Sequence, residues 1–164
     1  MQGNGPIEIL LVEDNAGDVR LTRKALKESK VMNTLHVLTD GDEALEFLRR
    51  QSPFEDAVRP DLILLDLNLP KKDGLEVLAE VKSDAELRRI PVVILTTSQA
   101  AENILQAYDL HANAYIIKPF DFDRFIDVIK TIEAFWFRTV KLAHKRTSST
   151  TSEDRILFLE EDHP

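Results

Sequence analysis

Short apolar runs alternate along the chain with stretches of helical spacing. Ile7–Val12 is a nearly continuous apolar run, as expected for a strand covered on both faces. Val19, Leu21, Ala25 and Leu26 then stand among Arg20, Arg23, Lys24 and Lys27, the pattern of a helix with one buried side. Residues 36–39 predict a short second strand. Asp40-Gly41 ends it, and Ala44, Leu45 and Leu48 mark a second helix. Residues 52–60 hold two prolines and no clear period and predict a loop. Residues 62–67 form the clearest strand. Leu75, Val77, Leu78 and Val81 fit a third helix after Asp73-Gly74. A fourth strand over 92–95 follows Pro91, and Ala101, Ile104, Leu105 and Tyr108 fall at i, i+3, i+4 and i+7 of a fourth helix. Residues 114–117 predict a fifth strand. Asp121 can cap a last helix, running from 122 to about 145, that carries Phe122, Phe125, Ile126, Ile129, Ile132 and Trp136.

Five β–α units in succession imply an α/β fold, a doubly wound five-stranded parallel sheet with helices on both faces. Ligands bind such sheets beyond the carboxyl ends of the strands. The polar residues there are therefore the informative ones. The first strand ends in Glu13-Asp14, the third in Asp66, the fourth in Thr96-Thr97 and the fifth in Lys118-Pro119. Converging on one rim, these would crowd three carboxylates, a hydroxyl and an ammonium together. Two like charges about 4 Å apart at an effective dielectric of about 20 cost on the order of 4 kcal/mol. A hard divalent cation offsets that repulsion, and Mg²⁺ suits a site with few direct carboxylates. Lys118 adds a fixed positive charge. Such a site is suited to receive an anion, with Asp66 as a nucleophile attacking phosphorus to form an acyl phosphate. An acidic pair alone is more often a helix cap, and a Lys-Pro alone a loop. All four features in order, each at a strand end, are harder to obtain by accident.

Composition narrows the alternatives. The chain has 164 residues and no cysteine, so thiolate metal sites and cysteine nucleophiles are excluded. Its net charge is −8, with −4 of it in residues 147–164. That balance argues against nucleic-acid binding, which needs a basic surface. No apolar run approaches the roughly 20 residues that cross a bilayer, and residues 1–6 lack a signal core. A cytoplasmic location without membrane attachment is the expectation.

The segments ILLVEDN at 9–15, DLILLDLNLPKKDG at 61–74, PVVILTTS at 91–98 and AYIIKPF at 114–120 resemble the receiver domain of two-component response regulators. The resemblance covers about residues 7–137 and implies a flavodoxin-like sheet of order 2-1-3-4-5. It implies that Glu13 and Asp14 organise Mg²⁺ and that Asp66 is the phosphoacceptor. Asn68 would ligate the metal through its backbone carbonyl. Thr96 and Lys118 would sense the phosphoryl group, and Tyr115 would be the switch aromatic, turning inward as Thr96 moves. A cis Lys118–Pro119 bond is implied as well. Thr97 departs from the family's frequent alanine, and its bulk would narrow access to the phosphoryl group. The insertion 52–60, the segment YDLHANAYIIKP at 108–119 and IEAFWF at 132–137 are similar to small regulators serving bacterial phytochrome kinases.

These features imply a receiver domain over 7–145 and an acidic, Ser/Thr-rich tail over 146–164. The protein would be a phosphoacceptor assisting its own phosphorylation and slow dephosphorylation, not an enzyme. A histidine kinase, of phytochrome type by the closer resemblance, is the expected partner, and output would pass through protein–protein contact. Val128, Phe135, Phe137 and Leu142 widen the apolar arc of the last helix beyond one sheet face, which favours a homodimer through the fourth and fifth helices over simple core closure. Two rivals remain. An aspartyl-phosphate hydrolase of the haloacid dehalogenase type would need an aspartate where Asn68 stands. A receiver-like binding module without phosphorylation would predict a lost acid or lysine, yet all are present. A nucleotide-binding protein is a poor third, since no glycine-rich phosphate loop is present.

Overall fold

The computed structural model describes residues 5–139. Its elements are β1 (Ile7–Val12), α1 (Ala16–Lys27), β2 (Asn33–Leu38), α2 (Gly41–Leu48), β3 (Leu62–Leu65), α3 (Gly74–Ser83), β4 (Val92–Thr96), α4 (Ala101–Asp109), β5 (Ala114–Ile117) and α5 (Phe122–Glu133). The five strands are all parallel, in the order β2-β1-β3-β4-β5. This is the flavodoxin-like receiver arrangement that the motifs implied.

Side chains alternate across each strand, so the near-continuous apolar runs divide between two cores. Leu10, Val12, Ile63, Leu65, Val92 and Ile94 face α2, α3 and α4, meeting Leu45, Leu48, Val77, Leu78 and Ala107. Ile9, Leu11, Leu62, Leu64, Val93 and Leu95 face α1 and α5, meeting Ala25, Leu26, Phe125, Ile129 and Ile132. Four of the five α-helices start on a side-chain cap, and α4, which follows Ala100, does not. Asn15, Asp40 and Asp121 each accept a backbone N–H of the first turn, and Asp73 with Glu76 forms a complete capping box.

Several expected boundaries shift. β2 begins at Asn33, three residues early, because its register is dictated by β1 (Ile7 opposite Asn33) rather than by its own mixed sequence. β3 stops at Leu65. A 3₁₀ turn at Leu87–Arg89 went unpredicted; the Asp84 carboxylate organises it by accepting the amides of Glu86 and Leu87. The α-helical part of α5 ends at Glu133 and widens into a π-helical stretch over Ala134–Thr139. The expected extension to about 145, the tail over 146–164 and Leu142 lie outside the described residues. The cis prolyl bond is at Ser52–Pro53, and Lys118–Pro119 is trans, contrary to expectation; trans is the lower-energy isomer unless packing selects otherwise. The insertion is anchored rather than loose. Phe54 packs edge-on to Phe47 at 5.6 Å, and Arg50 and Arg59 donate to the carbonyls of Ala57 and Leu48.

Gly74 ties the fold to the carboxyl rim. Its N–H donates to the Leu67 carbonyl, and a Cβ there would lie 2.2 Å from the Asp66 carbonyl oxygen and 2.6 Å from Leu67 Cα. Both obstacles are backbone, which cannot swing aside. We expect Gly74→Ala to lose about 2 kcal/mol of stability in urea denaturation, while Gly5→Ala, which meets nothing, changes little.

Candidate functional site at the carboxyl rim of the sheet

Backbone hydrogen bonds carry the ladder one residue beyond the strands and fix each site residue. Glu13 N donates to Leu38 O, Asp66 N to Val12 O and Lys118 N to Thr96 O, at 2.9, 3.1 and 2.7 Å. With Val12 opposite Leu65 and Thr96 opposite Ile117, Glu13, Asp14, Asp66, Thr96 and Lys118 reach one rim.

Carboxylate oxygens of Glu13, Asp14 and Asp66 lie within 4.8 Å of one another. Glu13 and Asp66 are buried, at 2% and 6% exposure, and Asp14 is exposed. The Lys118 ammonium, buried beside them, donates to Glu13 Oε1 at 2.6 Å, Asp18 Oδ2 at 2.8 Å and Asp66 Oδ2 at 2.9 Å. Three clustered, all-oxygen donors, two of them desolvated, match what hard divalent cations require. Excess negative charge makes the fit electrostatic as well as geometric.

The two buried acids differ. Burial and the neighbouring Asp66 charge push Glu13 up to about 7, against the pull of its Lys118 hydrogen bond. Burial also raises Asp66, but the Lys118 ammonium, with help from Glu13 and the Thr96 hydroxyl, outweighs it and holds Asp66 below its usual value. Burial disfavours charge on Lys118, yet its hydrogen bonds to Asp18, Glu13 and Asp66 raise it further. Asp66 therefore ionises before Glu13, with Lys118 positive beside it.

The remaining expected residues divide. Thr96 is fully buried with its hydroxyl against Asp66. Asn68 is exposed, two residues beyond Asp66, and its N–H donates to Asp66 Oδ1 at 3.3 Å. It borders an open hollow of about 460 Å³ shared with Leu67, Leu69, Asp73, Leu75 and Asn103. Thr97 is exposed. Tyr115 is half-buried against the α2–α4 core, and its hydroxyl donates to the Ser98 carbonyl at 3.0 Å. The ring is thus already fastened to the loop after β4.

Sequence reasoning missed Asp18. It lies 100 positions from its partner Lys118, and an acid in the first turn of a helix reads as an ordinary terminus residue. No local pattern separates the two roles.

The Glu13 shift sets a pH dependence. The folded chain holds this proton more tightly than the unfolded chain, whose value is near 4.5. The associated stability is present in full below about pH 4.5 and is lost as the pH rises through about 7. We expect denaturation in a chelating buffer to show the parent chain losing more stability than Glu13→Gln between about pH 5 and pH 8, by up to about 3 kcal/mol. Equal losses would mean that Lys118 keeps Glu13 ionised throughout.

Relatives agree with the geometry. Residues 9–130 match the family described as response regulator receiver domain. The chain is 48% identical over 141 residues to response regulator Rcp1 of Synechocystis sp., covering 86% of this chain and 96% of that one. It is 38% identical over 136 residues to a probable methanogenesis regulatory protein, FilR2, of Methanothrix harundinacea, covering 83% and 87%. Among solved structures, the phosphorylated cyanobacterial phytochrome response regulator RcpA superposes with a TM-score of 0.84 at 49% identity, over 85% of this chain and all of that one. The Mn²⁺-bound form of Rcp1 gives 0.83 at 47%, with the same coverage. Among the described residues, no helix is long and apolar enough to cross a membrane. With a sheet of order 2-1-3-4-5 and an acid cluster around one buried lysine, the chain belongs to the response regulator receiver domain family, the phosphoacceptor modules of two-component signalling.

Proposed function

We propose that Asp66 accepts a phosphoryl group from a histidine kinase, with Glu13, Asp14, Asp66 and the Asn68 backbone carbonyl holding Mg²⁺. One observation carries this reading: a buried carboxylate lies 2.9 Å from a buried ammonium that holds it below its usual pKa, in a cluster of acids that a bound cation would relieve further. A bound divalent cation would supply charge neutralisation for the incoming phosphoryl oxygens. Asp66 needs no general base, because its carboxylate is already charged. One of its oxygens attacks phosphorus, and the bond to the donor breaks, the leaving group keeping the electron pair. Lys118 neutralises a phosphoryl oxygen, and the Thr96 hydroxyl donates to another. Asn68 in place of a second aspartate disfavours the hydrolase reading, since a general acid–base is missing there.

The kinase is of phytochrome type. Support comes from the likeness to RcpA, a cyanobacterial phytochrome response regulator, and to AtBRR, a bacteriophytochrome response regulator, at 42% identity and a TM-score of 0.64 over 80% of this chain. The phosphorylated protein passes its signal on by protein contact in the cytoplasm. Leu105 and Tyr108 on α4, Ile117 on β5 and Phe135 beyond α5 are exposed, which favours a homodimer through α4 and α5. Val128, Trp136 and Phe137 instead pack on the α1–α5 core.

Incubation with acetyl phosphate and Mg²⁺, followed by intact mass, tests the transfer. The parent chain should gain one phosphoryl group, Asp66→Asn none, and Lys118→Ala at least about tenfold less label in equal time. Label persisting in Asp66→Asn would sink the assignment.

A further inference from the structure

Lys118 is gripped by a carboxylate for which phosphoryl transfer has no stated use. Asp18 is the third residue of α1, after the N-cap Asn15. An acid there commonly turns back to the N-cap amide, as Glu76 does to Asp73 in α3. In α1 that amide donates to Glu13 Oε2 at 3.2 Å. The Asp18 carboxylate instead reaches across to Lys118 Nζ at 2.8 Å, while its own N–H donates to Asn15 Oδ1.

An ammonium has three donors, and Lys118 spends them on Glu13, Asp66 and Asp18. The first two acceptors belong to the clustered acids at the candidate cation site, and Asp18 stands outside that cluster. Transfer to Asp66 converts its carboxylate into an acyl phosphate. One oxygen gains the bond to phosphorus, and the negative charge then resides on the phosphoryl group. The Lys118 donor that faced Asp66 must turn to a phosphoryl oxygen. A cation held by Glu13 would likewise draw on the charge that faced the second donor. Only the Asp18 contact is left unchanged by the reaction.

Resting on the assignment of Asp66 as phosphoacceptor, we infer that Asp18 is a positioning residue that keeps the Lys118 ammonium aimed at the reacting carboxyl throughout transfer. It acts through Lys118 and touches neither phosphorus nor cation. Its carboxylate is 23% exposed and Lys118 is 4% exposed, so Asp18 braces the lysine from the solvent side. A purely structural acid at a helix start would stabilise α1 and leave the transfer rate alone.

Two measurements on the full chain separate these roles. The first is the rate of labelling across acetyl phosphate concentrations at saturating Mg²⁺, with Mg²⁺ affinity measured by calorimetry. Asp18→Asn should lower the limiting rate about tenfold, leave Mg²⁺ affinity within about twofold, and be largely rescued by Asp18→Glu. The second is proton–nitrogen NMR of the Lys118 ammonium, whose hydrogens should exchange slowly in the parent and fast in Asp18→Asn. A limiting rate for Asp18→Asn equal to the parent's overturns the inference alone. So does unchanged ammonium exchange, or an equal rate loss in both variants that tracks a fall in Tm. A parent chain that gains no phosphoryl group overturns the reading of Asp66 and this inference with it, whereas a labelled parent keeps the two questions apart.

Discussion

One buried ammonium holds the rim of this protein together. Lys118 lies among Glu13, Asp18 and Asp66, in surroundings where an unpaired charge of either sign would cost several kcal/mol. The acids need the lysine, and the lysine needs the acids. Two of them come from separate strand ends, a third from the first turn of α1, and the lysine from the end of β5. The ion cluster therefore joins β1, α1, β3 and β5 at the place where the sheet ladder runs out. It also leaves the rim short of positive charge, so the same arrangement that fixes the geometry creates the demand for a cation and an anion together.

The sheet beneath is the precondition. Parallel strands place all their carboxyl ends on one side, and helices cover both faces, so the polar residues at those ends gather where the apolar slab stops. Gly74 lets α3 start directly against the Asp66 backbone, and capping acids start α2, α3 and α5 without spending a site residue. In α1 the division of labour differs: Glu13 serves both the N-cap amide and Lys118, which releases Asp18 for the lysine. Tyr115 joins β5 to the loop after β4 through the Ser98 carbonyl.

The chain's own residues determined the element types, because apolar runs, helical spacing and Asp-Gly breaks act locally. They determined the rim residues as well, since each of the residues 13, 14, 66, 96 and 118 ends an apolar run, and a parallel sheet gathers such ends. Tertiary structure alone decided the rest. Where β2 begins depends on the register of β1, not on its own composition. The opposite directions in which Glu13 and Asp66 are pushed arise from burial and from the distant Lys118, and the role of Asp18 from a contact across 100 positions. Sequence periodicity encodes which face of an element is buried; it carries no record of which distant charge will stand 3 Å away, because that is set only when helices close over the sheet.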